Sequence, residues 1–348
     1  MPATAGSPAA PDSERNAASK DRRDRNGPRD AMRGRGDLDA MPRGRRDAVD
    51  LDSIRRQRRE MTEDGGKTRI ITEPGNRRII RSGDRMFIQH SERDRLERFG
   101  KGRTNRRKDG TVRSVIERDN GVKIVSIYAQ DGRLLERRRI GRGGREIVLI
   151  DNRHDRRGRR GGRLIAPLAL GALSLSIPRS QYIVEYDDAS PERIYETLSA
   201  PPVEKLDRAY TVDEIRQSRA LRQRLRRVDL NAINFATGSW DVPASEKRQL
   251  ERIASATKRL IDKNPREIFL IEGYTDAVGD AEDNLTLSDR RAESIAAILT
   301  QDYGVPPENL LVQGYGEQYL KVNTDGPSAR NRRVAIRRVT PLLRTAGK

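Results

Sequence analysis

The last third of the chain alternates apolar strands with amphipathic helices, and this pattern constrains the fold more than any other feature. EIFLIE at 267–272 is a nearly continuous apolar run, typical of a strand covered on both faces. Helices are predicted on either side of it, from Pro243 to Lys263 and over about 283–302. Further strands are predicted at 228–235, 309–314 and 332–339. The resulting β-α-β-α-β-β order over about 115 residues indicates a layered α/β (α+β) domain.

The charges of the chain are unevenly distributed. From Asp229 to the C-terminus, 17 Lys and Arg are balanced by 17 Asp and Glu. The whole chain has 71 basic and 52 acidic side chains, so its full excess of +19 belongs to residues 1–228. Such an excess predicts attraction to polyanions. We therefore interpret the chain as a neutral C-terminal domain joined to a basic region with a separate role.

Three segments precede the C-terminal domain, which is placed at 229–343. Residues 1–66 are rich in Arg, Asp, Gly and Pro without periodic apolar residues, and are predicted to be disordered. Residues 67–151 carry short β-like runs separated by turn signals, which predicts a small Arg-rich β-meander. Residues 152–228 combine a basic linker, a short apolar segment and helices that would form a connecting arm.

The residue types on which most catalysis depends are scarce. The chain has no cysteine and two histidines, His90 and His154, both in arginine-rich surroundings where solvated surface side chains are expected. No nucleophile with a neighbouring base, carboxylate pair or metal-ligand cluster can be recognised. The sequence therefore predicts a binding protein that is not an enzyme and uses no catalytic residue, metal or cofactor.

The longest apolar stretch, at 164–177, is 14 residues long and contains Pro167. A membrane-spanning helix needs about 20 residues. We expect a buried or extended segment here. The opening MPATAGSPAAPDSERN also lacks the basic and then apolar pattern of a signal peptide.

The second predicted helix carries an arginine on its apolar side. At about 100° per residue, Arg291 and Asn284 fall on the apolar stripe, whereas Arg290 falls on the opposite side and would face water. The stripe also contains Leu287, Ile295, Ile298 and Leu299. A buried charge needs a partner. Asp276 follows the strand at 267–272, at the carboxyl end where crevices of open α/β sheets form.

Two interpretations of Asp276 and Arg291 remain open at this point. One is a structural ion pair that fixes the turn, and ion-pair networks of this kind are common. The other is a split clamp, in which Asp276 accepts from a ligand's ammonium group and Arg291 binds its carboxylate.

Four short motifs in the domain occur in a characteristic order. They are Gly273-Tyr274-Thr275-Asp276, Asn284-Leu285-Thr286-Leu287-Ser288-Asp289-Arg290-Arg291-Ala292, Gly314-Tyr315-Gly316-Glu317 and Asn331-Arg332-Arg333-Val334. Over roughly Val228–Leu343 the sequence thereby resembles the OmpA-like C-terminal domain, the peptidoglycan-binding module of Gram-negative envelope proteins. The resemblance implies that Asp276 and Arg291 bind the free amino-acid end of diaminopimelate in the stem peptide. Tyr274 stands where the family usually has His, a departure expected to alter the rim of the site.

Three further residues are candidates for peptidoglycan binding. Asn284 shares the helix stripe with Arg291, and the resemblance suggests the hydroxyl or amide of Thr275. Arg332 shares strand parity with Val334 and Ile336, so it either borders the pocket or packs across the helix ends.

The resemblance implies a non-catalytic protein that tethers the envelope to the wall, at the outer membrane or in the periplasm. A start codon upstream of Met1 would explain why no export signal is visible. Residues 1–228 would contact anionic envelope polymers or lipid, or would be a solvated spacer. The alternative is a polyanion- or nucleic-acid-binding protein with the C-terminal domain as scaffold, although sparse aromatics disfavour nucleic acid. A flagellar-stator-like protein would need a spanning helix, which the sequence does not show.

Overall fold

A computed structural model describes residues 50–153 and 164–343, apart from residues 166, 169, 175, 232, 234 and 237. Backbone contacts group the chain into residues 1–48 and one unit from Val49 to Lys348. The described residues all belong to the second unit, which contains three β-sheets.

The first sheet is an antiparallel meander preceded by a short helix. The Asp50 carboxylate caps that helix, α1 (Leu51–Gln57), by accepting a hydrogen bond from the Ser53 amide at 2.7 Å. The strands, in spatial order, are β1 (Arg59–Glu63), β2 (Thr68–Glu73), β3 (Arg77–Ser82) and β4 (Arg85–Gln89). Disorder was predicted to extend to residue 66, and this is wrong for 50–66, which hold α1 and β1. Residues 1–49 lie outside the described part.

The second sheet follows helix α2 (Glu92–Glu97) and is also an antiparallel meander. Its strands, in spatial order, are β5 (Lys101–Arg106), β6 (Val112–Glu117), β7 (Lys123–Tyr128), β8 (Leu134–Ile140) and β9 (Glu146–Asp151). The predicted single meander at 67–151 is therefore two sheets joined by a helix.

The central sheet contains the strands of the predicted C-terminal domain and one more. Before and beside it lie α3 (Arg179–Tyr182), α4 (Pro191–Ser199), α5 (Val212–Gln217), α6 (Arg219–Arg222), α7 (Ala244–Lys247), α8 (Glu251–Lys263) and α9 (Ala281–Gln301). Its strands are β10 (Ile183–Glu185), β11 (Arg227–Leu230), β12 (Phe269–Tyr274), β13 (Leu310–Gly314) and β14 (Arg333–Arg338). The spatial order is β10-β11-β14-β12-β13.

The predicted β-α-β-α-β-β order is confirmed by β11, α8, β12, α9, β13 and β14. The connecting arm predicted within 152–228 is wrong. Strand β10 pairs in parallel with β11, and α4 inserts Ile194 and Leu198 into the same apolar core as Ile253 of α8. Within the described residues, no helix is both long and apolar enough to span a membrane.

Both faces of the central sheet are covered, which explains the continuous apolar run in β12. On one face Phe269 and Ile271 pack with α4, α8 and α9. On the other, Leu270 packs in one cluster with Tyr128 and Ile150 of the second sheet. The extended segment after residue 163 joins this cluster through Leu168 and Leu170. The second sheet is thus part of the core around the C-terminal domain.

The first sheet packs against one flank of α9. Leu285 of α9 packs with Ile71, Ile79 and Ile88. The prediction that Arg290 faces water is therefore wrong. Its guanidinium lies 4.8 Å from the ring centroid of Trp240, and burial lowers its pKa to about 10.

Arginines in and beside the first two sheets pair with acidic groups of the C-terminal domain. Arg77 donates to Asp289 at 3.1 Å and also contacts Glu293. Other such pairs are Arg58–Asp283 at 2.8 Å, Arg81–Glu282 at 3.3 Å, Arg98–Glu293 at 3.1 Å, and Arg118–Glu308 and Arg139–Glu308 at 3.6 Å. Part of the positive charge of residues 1–228 is therefore used within the fold, in ion pairs with the C-terminal domain.

His90 contributes to this interface, so the prediction of a solvated surface side chain is wrong. Its side chain is 6% exposed, with Nδ1 3.1 Å from Asp289 and Nε2 3.2 Å from Glu92. Burial opposes charge on the ring, but the two carboxylates outweigh it and raise the pKa of His90. His154 lies outside the described residues.

This raised pKa predicts a pH-dependent contribution to stability. Protonated His90 stabilises the fold fully below its unfolded pKa of about 6.5, and the stabilisation is lost as pH rises through the folded value. We expect the free energy of unfolding, measured with urea, to decrease as pH rises above about 6.5 more in the wild type than in His90→Gln. Both proteins contain His154, so its contribution cancels when the two pH slopes are subtracted. Equal pH slopes would contradict the assignment.

Candidate functional site

The turn after β12 places Asp276 beside Arg332 rather than beside Arg291. The Asp276 carboxylate accepts from Arg332 Nη1 at 2.6 Å and from the Ser328 amide at 3.1 Å. The Asp276 side chain is 10% exposed and that of Arg332 is 41% exposed. Antiparallel pairing of Tyr274 with Arg333 explains why these two chain segments meet. A structural Asp276–Arg291 ion pair, one of the two open interpretations, is therefore not formed.

Arg291 is buried, as its position on the helix stripe predicts, but its hydrogen bonds go to neutral groups. Its Nε donates to the carbonyl of Ser239 at 2.9 Å and its Nη2 to that of Ala236 at 3.3 Å. Burial and, to a smaller extent, repulsion from Arg332 lower the pKa of Arg291 to about 10, against the attraction of Asp276. Asp276, Arg291 and Arg332 therefore act on one another electrostatically at the carboxyl end of β12, the position where the sequence predicts a crevice and which keeps that name below.

Thr275 and Asn284 have different surroundings. The Thr275 amide donates to the Gly316 carbonyl at 3.0 Å, while its buried Oγ1 has no hydrogen-bond partner among the described residues. Asn284 was predicted to converge on the crevice with Arg291. Instead its Nδ2 donates to the Glu317 carboxylate at 2.7 Å and to the Val278 carbonyl at 3.1 Å. Asn284 thus holds the loop between β12 and α9.

Tyr274 does not form the rim of this crevice, so that expectation is wrong. The residue is 3% exposed and its ring stacks on Tyr315, with 5.4 Å between centroids. The guanidinium of Arg333 lies 3.8 Å from the Tyr274 ring centroid. Strand alternation sends Tyr274 to the opposite face of β12 from Ile271, into an aromatic cluster with Tyr315 and Tyr319.

Sequence reasoning missed the residues that hold α9 against the strand ends. Asp289 Oδ1 accepts from the Gly314 amide at 3.0 Å, and Ser288 Oγ accepts from the Gly316 amide at 2.8 Å. An added Cβ on Gly273 would lie 1.9 Å from the carbonyl oxygen of Ser288. The signal for this close approach was the glycine at the end of two predicted strands, Gly273 after 267–272 and Gly314 in 309–314.

The crevice can bind a group that carries both charges. Asp276 offers an acceptor for a cation, and Arg332 and Arg291 offer donors for an anion. Arg291 gains most from an anionic partner, because its hydrogen bonds are at present to uncharged carbonyls.

The family match covers the elements that build this crevice. Residues 234–333 match the OmpA family, and these residues therefore form an OmpA family domain, as the sequence resemblance predicted. Among curated proteins, the outer-membrane lipoprotein YfiB of Pseudomonas aeruginosa is 33% identical over 110 residues. This match covers 28% of the present chain and 65% of the relative, just under two thirds of its length.

Two solved structures are also similar to part of the chain. The peptidoglycan-associated lipoprotein from Burkholderia pseudomallei is 26% identical over 30% of this chain and 87% of that one, with a TM-score of 0.26. The C-terminal domain of Helicobacter pylori MotB is 27% identical over 28% and 74%, with a TM-score of 0.26. Because both TM-scores lie below 0.5, the family assignment rests on the sequence match.

Proposed function

We propose that the OmpA family domain binds peptidoglycan without catalysing a reaction, and so tethers the cell envelope to the wall. The observation that carries this proposal is the crevice in which Asp276 is ion-paired to Arg332 beside the buried Arg291. The Burkholderia relative is named as peptidoglycan-associated, and the Pseudomonas relative as an outer-membrane lipoprotein. A location at the outer membrane or in the periplasm accompanies this function.

The ligand group in this proposal is diaminopimelate of the stem peptide, bound by its free amino-acid end. The ligand ammonium shares the Asp276 carboxylate with Arg332. The ligand carboxylate replaces the carbonyls of Ala236 and Ser239 as the acceptor for Arg291. The ligand carboxylate adds an attraction between opposite charges that the uncharged carbonyls do not supply.

Thr275 supports the same ligand in a smaller way. Its Oγ1 is a buried hydroxyl with no partner within the described part of the chain, and such a group costs free energy until it is satisfied. A polar atom of the stem peptide would supply the missing hydrogen bond. Asn284 acts indirectly in this proposal, by holding the loop that carries Asp276.

Binding to purified peptidoglycan sacculi tests the proposal. We expect Asp276→Asn and Arg291→Lys each to weaken binding by about tenfold or more, since a hydrogen bond to a charged group contributes about 1.5–3 kcal/mol. Arg330→Ala is the matched control, because it removes an exposed charge close to Arg332. Urea denaturation would confirm that the variants are folded. Folded site variants that bind sacculi as tightly as the control would refute the crevice as the binding site.

The identity of the ligand group has a separate test. Lysine-type stem peptides lack the side-chain carboxylate of diaminopimelate, so the Arg291 interaction has no partner in them. We expect Arg291→Lys to weaken binding to diaminopimelate peptides but to change binding to lysine peptides little. A similar loss of affinity for both peptides would leave the proposal of peptidoglycan binding intact but would exclude the proposed role of Arg291.

A further inference from the structure

The ion pairs between the N-terminal sheets and the C-terminal domain leave one group of cations without an ion-pair partner in the part of the chain that the structure describes. Residues 101–109, which are β5 and the following turn, are all exposed. They include five cations: Lys101, Arg103, Arg106, Arg107 and Lys108. No described carboxylate lies within ion-pairing distance of any of these five. The one acidic residue among them, Asp109, already accepts from the amide and hydroxyl of Thr111 at 3.0 and 2.7 Å.

The backbone presents these cations around the end of a hairpin. Strand β5 is an edge strand that pairs only with β6, and the turn is closed by the Arg107 amide donating to the Thr111 carbonyl at 2.8 Å. Arg103 and Arg106 are three positions apart, so they project from opposite faces of β5. Arg107 and Lys108 occupy the turn itself. The charge therefore surrounds a convex tip.

The composition of the hairpin decides which polyanion it fits. Residues 101–113 contain no aromatic side chain on which a base could stack. A linear polyanion is best held by cations that line one face or a groove, whereas a convex tip with cations on both faces suits an extended anionic surface. We propose that the β5–β6 hairpin, residues 101–113, binds the anionic surface of a lipid bilayer.

This binding is electrostatic and reversible. Val112 is the one large apolar residue in 101–113, so little apolar area is available for insertion between lipids. Basic residues near an anionic bilayer each contribute an attraction that falls off within about one Debye length. The hairpin gives the chain a membrane contact that is independent of the peptidoglycan crevice and goes beyond wall binding.

The competing explanation of the same charges is protection of an exposed edge. Lys and Arg on an edge strand discourage pairing with strands of other molecules. That role requires no lipid, and it predicts aggregation when the charges are removed.

Vesicle co-sedimentation of the full chain separates these explanations. The probes are phosphatidylcholine vesicles with and without about one third phosphatidylglycerol. We expect Arg103→Gln/Arg106→Gln/Arg107→Gln/Lys108→Gln to weaken binding to the anionic vesicles by about tenfold or more. The matched control is Arg56→Gln/Arg248→Gln/Arg266→Gln/Arg330→Gln, which removes the same charge from exposed positions elsewhere. It should bind within about threefold of the wild type, and high salt should release all three proteins.

Several results would overturn the proposal. If the two quadruple variants lose vesicle affinity equally, binding depends on the net charge of the chain. If the hairpin variant loses no affinity, the binding surface lies elsewhere in the chain. Aggregation of the hairpin variant with unchanged vesicle binding would favour edge protection. If the hairpin binds duplex DNA at least as tightly as it binds the anionic vesicles, nucleic acid becomes the proposed partner in place of the bilayer.

Discussion

Gly273→Ala is expected to destabilise the OmpA family domain more than any other single methyl addition near the crevice. The added Cβ would lie 1.9 Å from the carbonyl oxygen of Ser288 and 2.7 Å from its carbon. Both atoms belong to the backbone of α9, so no side chain can move to relieve the overlap. Strand β12 is fixed on both sides by β13 and β14, which prevents it from moving away. Overpacking usually costs about 1–3 kcal/mol, and a clash between two backbones should exceed that range.

Urea denaturation of the purified variant provides the measurement. Because single domains are stable by about 5–15 kcal/mol, we expect a large fall in the denaturation midpoint or no folded protein. Gly326→Ala is the control, since its added Cβ would meet nothing closer than Thr324 Oγ1 at 3.6 Å. A midpoint for Gly273→Ala equal to that of Gly326→Ala would show that α9 does not require this close approach.

The close approach at Gly273 also has a functional consequence. Gly273 stands three residues before Asp276, and Ser288 stands three residues before Arg291 on the facing helix. The distance between strand and helix at this point therefore sets how far apart the aspartate and the arginine of the crevice can be. A small displacement that leaves the domain folded would weaken ligand binding through both residues together.

The architecture around β12 could be predicted because periodicity reports burial. A strand that is apolar on both faces must be covered on both faces, and this held for 267–272. Periodicity does not identify what covers a polar face. The flank of α9 next to the first sheet carries Asp289, Arg290 and Glu293, a charged pattern normally typical of a solvent-exposed surface. It is buried because Arg77 of a distant sheet supplies matched charges, and no local pattern contains that information.

The candidate site shows the same limit. The sequence placed Asp276, Arg291 and Asn284 together at the end of β12, whereas the pairing of Asp276 with Arg332 depends on the register between β12 and β14. These strands are antiparallel neighbours separated by α9 and β13 in the chain, so their register follows from the whole sheet. Tyr274 was misplaced for a related reason, because the last residue of the strand keeps the alternation of the strand and points away from the turn.

Asp289→Ala is expected to cause the largest loss of stability among the charge changes considered. The carboxylate accepts from Arg77 Nε at 3.1 Å and from the Gly314 amide at 3.0 Å, and it lies 3.1 Å from His90 Nδ1. All three partners are buried. Removal of Asp289 therefore leaves Arg77, His90 and the Gly314 amide each with one hydrogen-bond acceptor fewer. Removing one partner of a buried ion pair typically costs about 3–5 kcal/mol, and urea denaturation at neutral pH measures it. Asp262→Ala, an exposed acid on α8, is the control.

The pH dependence of the same variant shows whether charge is the cause. Burial opposes ionisation of Asp289, but His90, Arg77 and the Gly314 amide outweigh it and hold the pKa of the carboxyl well below its usual value. A depressed folded pKa gives stability that is present above the unfolded value of about 3.9 and lost as pH falls towards the folded one. The wild type should therefore lose its advantage over Asp289→Ala as pH falls below about 4. An advantage that stays constant down to the acid limit of folding would mean that the variant suffers from lost packing, and that the buried charges joining α9 to the first sheet contribute little.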